Sequence, residues 1–368
     1  MSPEDNLLYQ IALTCIKGVG NMTARHLLSL VDDVSELFAI SKKQLSCLPG
    51  ISQMLVDAIT DKEVLERAAK ERDFVLENDI VHYFITDKSY PYRLRECCDA
   101  PLIFYYKGNA NLDALRIVSI VGTRKITTYG AEMTEAIVEG LKDLGENLLI
   151  VSGLAYGIDV CAHRAALKNN IDTVGVLAHG LDRIYPPLHR HTANEMLDRG
   201  GLLTEFPSKT EPDKQNFVRR NRIIAGLADV VIVAESARKG GSMLTAEIAT
   251  SYSREVFAVP GRSSDENSQG CNFLIRTNRA GLINNAADLL EAMDWSTGKR
   301  SKASQPQLPL AMNEDEELII RLLAKEETQI NSLLVQTNLT INRLSPILFE
   351  MEMRGVIRCL PGGFYKLS

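Results

Sequence analysis

The stretch RIVSIVGTRKITTYGAEMTEAIVEGLKDLGENLLIVSG, residues 116–153, changes its hydrophobic period twice. It opens on a short run rich in Ile and Val and passes through Gly122-Thr123-Arg124. It then places Met133, Ile137, Leu141 and Leu144 at helical spacing before a second apolar run, NLLIVSG, begins. Unbroken apolar runs of this kind are what strands buried on both faces look like, and a helix between two of them is the crossover that parallel pairing requires. The pattern recurs in DTVGVLA, GLLTEF, DVVIVA and EVFAVP, with Leu244, Ile248 and Tyr252 marking a helical face between the last two. From about residue 81 to 293 the chain predicts a doubly wound α/β sheet, a fold whose ligands sit at the carboxyl ends of the strands.

The flanks read differently. Residues 1–80 predict short helices punctuated by two similar hairpins, IKGVGNMTARHLL at 16–28 and LPGISQMLVDAI at 48–59. Each is a helix–hairpin–helix pattern, in which a glycine turn leaves backbone N–H groups free at a helix start, where a phosphate can sit. The same pattern also serves simply to pack a small helical domain. The first hairpin has Gly18 and Gly20; the second keeps Gly50 but has Ser52. Residues 296–312 are polar and proline-bearing, as a linker is. Residues 313–368 predict three helices and a hairpin turning at Pro-Gly-Gly, the plan of a winged helix. Its last helix offers Arg343 and Arg354 but also Glu350 and Glu352, and residues 311–368 hold six Lys/Arg against eight Asp/Glu. A major-groove reader presents net positive charge, so this block is expected to contact protein or to be structural.

A formal net charge of −6 argues against a blanket polyelectrolyte binder, although local patches decide what a surface binds. The seven cysteines are scattered without a C-x-x-C pair, as reduced cytoplasmic thiols would be. No secretory signal and no apolar stretch of membrane-spanning length is visible. The sequence has no G-x-x-x-x-G-K-[ST], complete G-x-G-x-x-G, H-E-x-x-H or G-x-S-x-G. His189 and His191 are close in sequence but have no cysteine or carboxylate cluster beside them, so neither a metal nor a cofactor is expected.

What the chain does carry lies at strand ends. Gly122, Thr123 and Arg124 close one strand; Ser152 and Gly153 close another; Lys239, Gly240, Gly241 and Ser242 follow a third at a helix start. Each supplies backbone N–H groups, a small hydroxyl or a cation, and three such ends on one rim make an anion groove. Residues 214–222, KQNFVRRNR, add Lys214, Arg219, Arg220 and Arg222 with no acid among them. On a helix, Phe217, Asn221 and Ile224 share one face and Arg219 and Arg222 another. An exposed Phe flanked by cations stacks a base beside a neutralised backbone, the combination used for single strands. The competing arrangement buries Phe217 and pairs the arginines with acids such as Asp229 or Glu235.

These segments resemble the DNA processing protein A (DprA/Smf) family. YPYRLRECCDAPLIFYYKGN, VGTRKITTYG, SGLAYGIDVCAH, GLDRIYPPLHR, TEFP, FVRRNRIIAG, GGSMLTAEIA, FAVPG and GCNFLI follow in consistent order over roughly 82–290. The resemblance implies a Rossmann-like sheet between a helix-hairpin-helix/SAM-like domain and a winged helix. It also implies a non-catalytic, sequence-independent single-stranded DNA binder of the bacterial cytoplasm. Such a protein protects incoming DNA in natural transformation, helps load RecA, and forms a homodimer through the Rossmann-like domain. On this resemblance Arg124 grips phosphate, Lys214 and Phe217 are the cation and ring beside the strand, and Gly240 and Ser242 line the groove. Asn221 and Arg222 hold loops. The sequence departs from the family pattern at ARKGGSMLTAE and at RTNRAGLI.

Two other readings are open at this stage. Gly240 to Glu247 has the length of the G-G-x-G-T-x-x-E motif of a nucleoside monophosphate phosphoribohydrolase, with Met243 and Leu244 in place of Gly-Thr. A repair scaffold would instead contact duplex DNA through the N-terminal hairpins.

Overall fold

The structure is a computed structural model that describes residues 3–295, 313–324, 327–360 and 364–367. It divides into two compact units, Met1–Thr297 and Gly298–Ser368.

The first unit is built on a nine-stranded sheet. Its strands are β1 (Val81–Phe84), β2 (Ile103–Gly108), β3 (Arg116–Gly122), β4 (Leu148–Ser152), β5 (Asp172–Val176), β6 (Gly200–Thr204), β7 (Val230–Glu235), β8 (Glu255–Ala258) and β9 (Gly281–Leu282). They lie in the order β1-β2-β6-β5-β4-β3-β7-β8-β9, parallel from β6 through β9, with β1 and β2 antiparallel at one edge. Successive residues of β3 feed opposite cores. Ile117 and Val121 pack with the helices Lys214–Leu227 and Gly241–Ser251, whereas Val118 and Ile120 pack with Thr128–Gly140 and Ile158–Lys168. This alternation makes β3 apolar throughout and explains why its run reads as unbroken. The chain leaves β3 toward β4 on one side and returns to β7 on the other. The topological switch point therefore lies between β3 and β7, where the connections after the two strands run to opposite faces of the sheet.

Of the helical faces expected from the sequence, Ile137, Leu141 and Leu144 are buried and Met133 packs against them. On Gly241–Ser251 the expected face is displaced. Ser242, Met243, Thr245, Ala246 and Ala249 are buried, and Leu244, Ile248 and Tyr252 are only half-buried. Small residues turn inward because this helix lies close to its neighbour Lys214–Leu227, and residue size misled the sequence reading.

The helices Pro3–Cys15, Asn21–Leu28, Gln53–Ile59 and Lys62–Glu77 share one core with Leu102, Ile103 and Tyr105 around β2. Both hairpins turn through a glycine at positive φ, Gly18 at 79° and Gly50 at 77°. Where the first has Gly20 before its helix, the second uses Ser52, whose hydroxyl caps Leu55 N–H. The buried Glu71 carboxylate accepts from both the Ser208 N–H (2.8 Å) and its hydroxyl (2.6 Å), fastening the helices to the segment after β6.

The second unit has helices Glu314–Leu323, Ile330–Thr337 and Ile341–Met353 packed around Leu333, Leu344, Leu348 and Met351. Its strands β10 (Thr328–Gln329), β11 (Ile357–Leu360) and β12 (Phe364–Leu367) pair antiparallel in the order β10-β12-β11. The expected hairpin thus gains a third strand, too short to show a period. Arg343 pairs with Asp315 at 2.7 Å, and Arg354 with Glu316 and Glu350. The expected linker 296–312 and the Pro-Gly-Gly turn at 361–363 lie outside the described residues.

One buried ion pair stitches the entry of the sheet. Arg93 donates to both carboxylate oxygens of Asp229, at 2.6 and 2.9 Å, and to the carbonyls of Ala114 and Leu115. Asp229 also accepts from Ile117 N–H. Replacing Arg93 with Ala removes the donor of two carbonyls and the cation that pairs with the Asp229 carboxylate, to which Ile117 N–H still donates. Because Asp229 is a quarter exposed, the expected loss falls at or below the lower end of the range for broken buried pairs, about 2–3 kcal/mol. A urea titration of Arg93→Ala against the parent chain measures it.

Candidate nucleic-acid interface

A cavity of about 810 Å³ opens at the switch point between the ends of β3 and β7. Its walls are Gly122, Thr123, Arg124 and Lys125 on one side and Ser236, Ala237 and Lys239 to Ser242 on the other. The exposed face of Lys214–Leu227 closes the third side. The loop after β3 is held rigidly. Thr123 N–H donates to Glu235 O (2.7 Å), Ile158 N–H donates to Thr123 O (3.2 Å), and the Glu235 carboxylate accepts from Thr127 N–H (3.0 Å) and hydroxyl (2.6 Å). Gly157, at φ 79°, lets the chain re-enter a helix here, since a Cβ would collide with Thr123 O.

This scaffold brings Arg124 over the ring of Phe217, with the guanidinium carbon 4.7 Å from the centroid. Arg220 lies 5.7 Å from the same centroid and the Tyr185 ring 6.0 Å. Phe217 is half-buried rather than fully exposed, because these neighbours clasp it. Lys214, in the first turn of its helix behind the Asp213 cap, is exposed on the rim. Asn221 and Leu244 complete the lining.

Arg220 is the floor rather than the rim. Only 3% exposed, it donates to Gly153 O at 2.6 Å and to Val176 O, bridging the ends of β4 and β5. Burial pushes its pKa down to about 10, against the pull of Asp159 and with a smaller push from Arg124. Burial likewise raises the Asp159 carboxyl, with Arg220 opposing.

Three expected contact residues, Ser152, Gly153 and Arg219, turn away from the groove, as does Arg222, which was expected to hold loops. Ser152 is fully buried and donates to Ile120 O (2.6 Å), tying β4 to β3. Gly153 offers only a carbonyl already taken by Arg220, and any side chain there would strike that guanidinium. Arg219 and Arg222 both bond the Glu205 carboxylate, and Arg222 also donates to Asp99 O. Their three-residue spacing puts them on the helix face opposite Phe217. The acid they meet is Glu205, not Asp229 or Glu235, which are committed to Arg93 and Thr127. The groove retains Gly122, Thr123, Arg124, Lys214, Phe217, Asn221, Lys239, Gly240, Gly241 and Ser242 in its walls. The sequence reading missed Lys125, Asp159 and Tyr185. Lys125 follows Arg124 directly, Tyr185 stands in IYPP, and only the fold brings Asp159 underneath.

Glu247, the glutamate a phosphoribohydrolase motif would use, is exposed and paired with Arg279 at 3.4 Å, outside the groove lining. Among the described residues no cluster of three His, Cys, Asp or Glu could hold a metal, and no helix is long and apolar enough to cross a membrane. His189 bonds Leu154 O at 2.8 Å and His191 pairs with Glu195.

Residues 81–294 match the family of DNA recombination-mediator protein A, and residues 301–363 match the DprA winged helix domain. The chain belongs to this DprA/Smf family. DNA processing protein DprA of Streptococcus pneumoniae is 40% identical over 213 residues, covering 58% of this chain and 74% of that protein. Protein Smf of Escherichia coli is 33% identical over 295 residues, 78% of each chain, and that of Synechocystis is 28% identical across 97% of this chain and 98% of its own. Among solved structures, DprA of S. pneumoniae superposes with a TM-score of 0.63 at 32% identity, covering 79% of this chain and 98% of its own. DNA processing protein A of Helicobacter pylori, described for its single-stranded DNA binding mode, gives 0.53 at 30% identity, covering 58% and 96%.

A buried histidine ties the turn after β4 to β5. His163 Nε2 accepts from Leu154 N–H at 3.3 Å, which leaves Nδ1 to donate to the Thr173 hydroxyl at 2.7 Å; that hydroxyl in turn donates to Ile150 O. Burial lowers its pKa to about 3, with Arg220 and His189 adding to the shift. Below the ordinary value near 6.5 the unfolded chain takes up a proton that the folded chain refuses. The stability is therefore full above pH 6.5 and falls as pH drops toward 3, by up to about 1.4 kcal/mol per unit. Urea midpoints measured from pH 7 to pH 5 are expected to decline more steeply for the parent than for His163→Gln.

Proposed function

We propose that the groove binds single-stranded DNA without regard to sequence, and that the protein is a non-catalytic mediator of recombination. The observation that carries this reading is the ring of Phe217 beneath Arg124 on a rim that also presents Lys125, Lys214 and Lys239. Cations on such a rim neutralise phosphates, the N–H groups at the start of the helix Gly241–Ser251 add donors, and an aromatic face accepts any base. No base-edge code is required of these residues, so one sequence serves as well as another. The placement of Glu247 against Arg279 supports a binding role over base release.

Family membership and the ssDNA-binding relative from H. pylori support the wider role. In this reading the protein works in the bacterial cytoplasm, shields incoming strands during natural transformation and delivers them to RecA. It acts as a homodimer through the Rossmann-like domain. The paired arginines of the winged helix fit a structural or protein-contacting module better than a duplex reader.

The decisive measurement is fluorescence anisotropy of labelled oligo-dT and of matching duplex at several salt concentrations. Single strands are expected to bind in preference, with a log–log salt slope of about −0.7 per phosphate contact. The Arg124→Ala/Lys214→Ala pair should make that slope shallower by about 1.4, and Phe217→Ala should cost about 1–3 kcal/mol. A folded double variant with undiminished binding would move the site off this rim.

A further inference from the structure

Beside the groove lies a second cleft of about 1110 Å³, between the start of the helix Thr128–Gly140 and the loop that follows β8. Lys125, Glu266 and Asn267 line both cavities, and Asn267 donates to Lys125 O at 3.2 Å, so these residues form the ridge shared by the two. In the second cleft stands Tyr129. The residue is 42% exposed, and its hydroxyl donates to Pro260 O at 2.7 Å. That bond fixes the ring while leaving apolar surface in water, so little conformational entropy remains to be lost when another planar group covers it.

The chemistry around the ring is mixed. Lys125 and Arg262 bring positive charge, Asp265 and Glu266 bring negative charge, and the described ion pairs include none of the four. The net balance does not suit a run of phosphates. It suits a base, whose face stacks on tyrosine and whose ring N–H and amino groups meet carboxylates, while one flanking phosphate meets a cation.

We infer that Tyr129 is a second stacking ring and that a bound single strand continues from the groove across the Lys125 ridge into this cleft. The inference rests on the reading that the groove holds single-stranded DNA, and it extends the bound length by the nucleotides that reach Tyr129. It makes Tyr129 a binding residue rather than only a brace for the Pro260 loop.

The test compares two oligo-dT probes on the full chain: the shortest that binds measurably and one several times longer. Phe217→Ala is expected to weaken both. Tyr129→Ala should leave the short probe within about twofold and weaken the long one about tenfold, while Tyr129→Phe, which keeps the ring, stays within about twofold on both. Photo-crosslinking of an iodouracil-substituted long probe should modify Tyr129. Long-probe binding by Tyr129→Ala equal to that of the parent would overturn the inference and leave the groove reading intact. Equal losses in Tyr129→Ala and Tyr129→Phe would assign the effect to the Pro260 bond and overturn it as well. No binding by the parent, or none of the expected loss in Phe217→Ala, would remove the groove reading and this extension together.

Discussion

The groove depends on a buried guanidinium. Arg220 reaches beneath Phe217 to the carbonyls that end β4 and β5, and so fixes the helix Lys214–Leu227 against the sheet at the place where its rim residues are wanted. A buried cation is expensive unless its donors are satisfied and a counter-charge is close. Two carbonyls take the Nη1 donors and Asp159 lies near as counter-charge, while Nε has no partner among the described residues and the pKa is lowered. The cost is borne where three strands, one helix start and one helix face converge. It sets how far Phe217 projects and how close Arg124 lies over it.

Much of this was legible in the sequence, for identifiable reasons. The central strands announced themselves because they are buried on both faces, so β3, β4 and β7 read as continuous apolar runs, whereas β9, two exposed residues long, left no such run. The groove was legible in outline because strand ends with glycine and a cation mark where a doubly wound sheet binds. What could not be read was direction. Four arginines and lysines in KQNFVRRNR look alike in one dimension, yet the fold sends Lys214 to the rim, Arg220 to the floor and Arg219 and Arg222 to Glu205. Ser152 and Gly153 failed as contacts for a related reason: strand-end position says which end of the sheet, not whether the side chain or its carbonyl is already in use. Asp159 left no periodic trace because its charge matters through Arg220, far along the chain, and His163 because Leu154 and Thr173 reach it only once β4, β5 and their helix have packed.

The winged-helix unit shows the same limit in another form. Its three helices and its hairpin were expected from the sequence, while the short strand β10 came only from pairing with β12. Arg343 and Arg354, in and just after its last helix, are spent on neighbouring acids, which agrees with the excess of acidic residues read from composition.

The shared core around β2 bears on how this protein is dissected. The first eighty residues look separable on paper, but Leu102, Ile103 and Tyr105 are covered by them, and the Glu71 carboxylate holds Ser208 a few residues before the basic helix begins. Cutting there would bare an apolar sheet edge and release the segment that leads to Lys214 at the same stroke. A truncated chain that lost DNA would thus be ambiguous between a missing contact and a slackened groove. Point changes on an exposed hairpin residue such as Met22 or Met54 separate the two, because they alter the surface without unroofing the sheet.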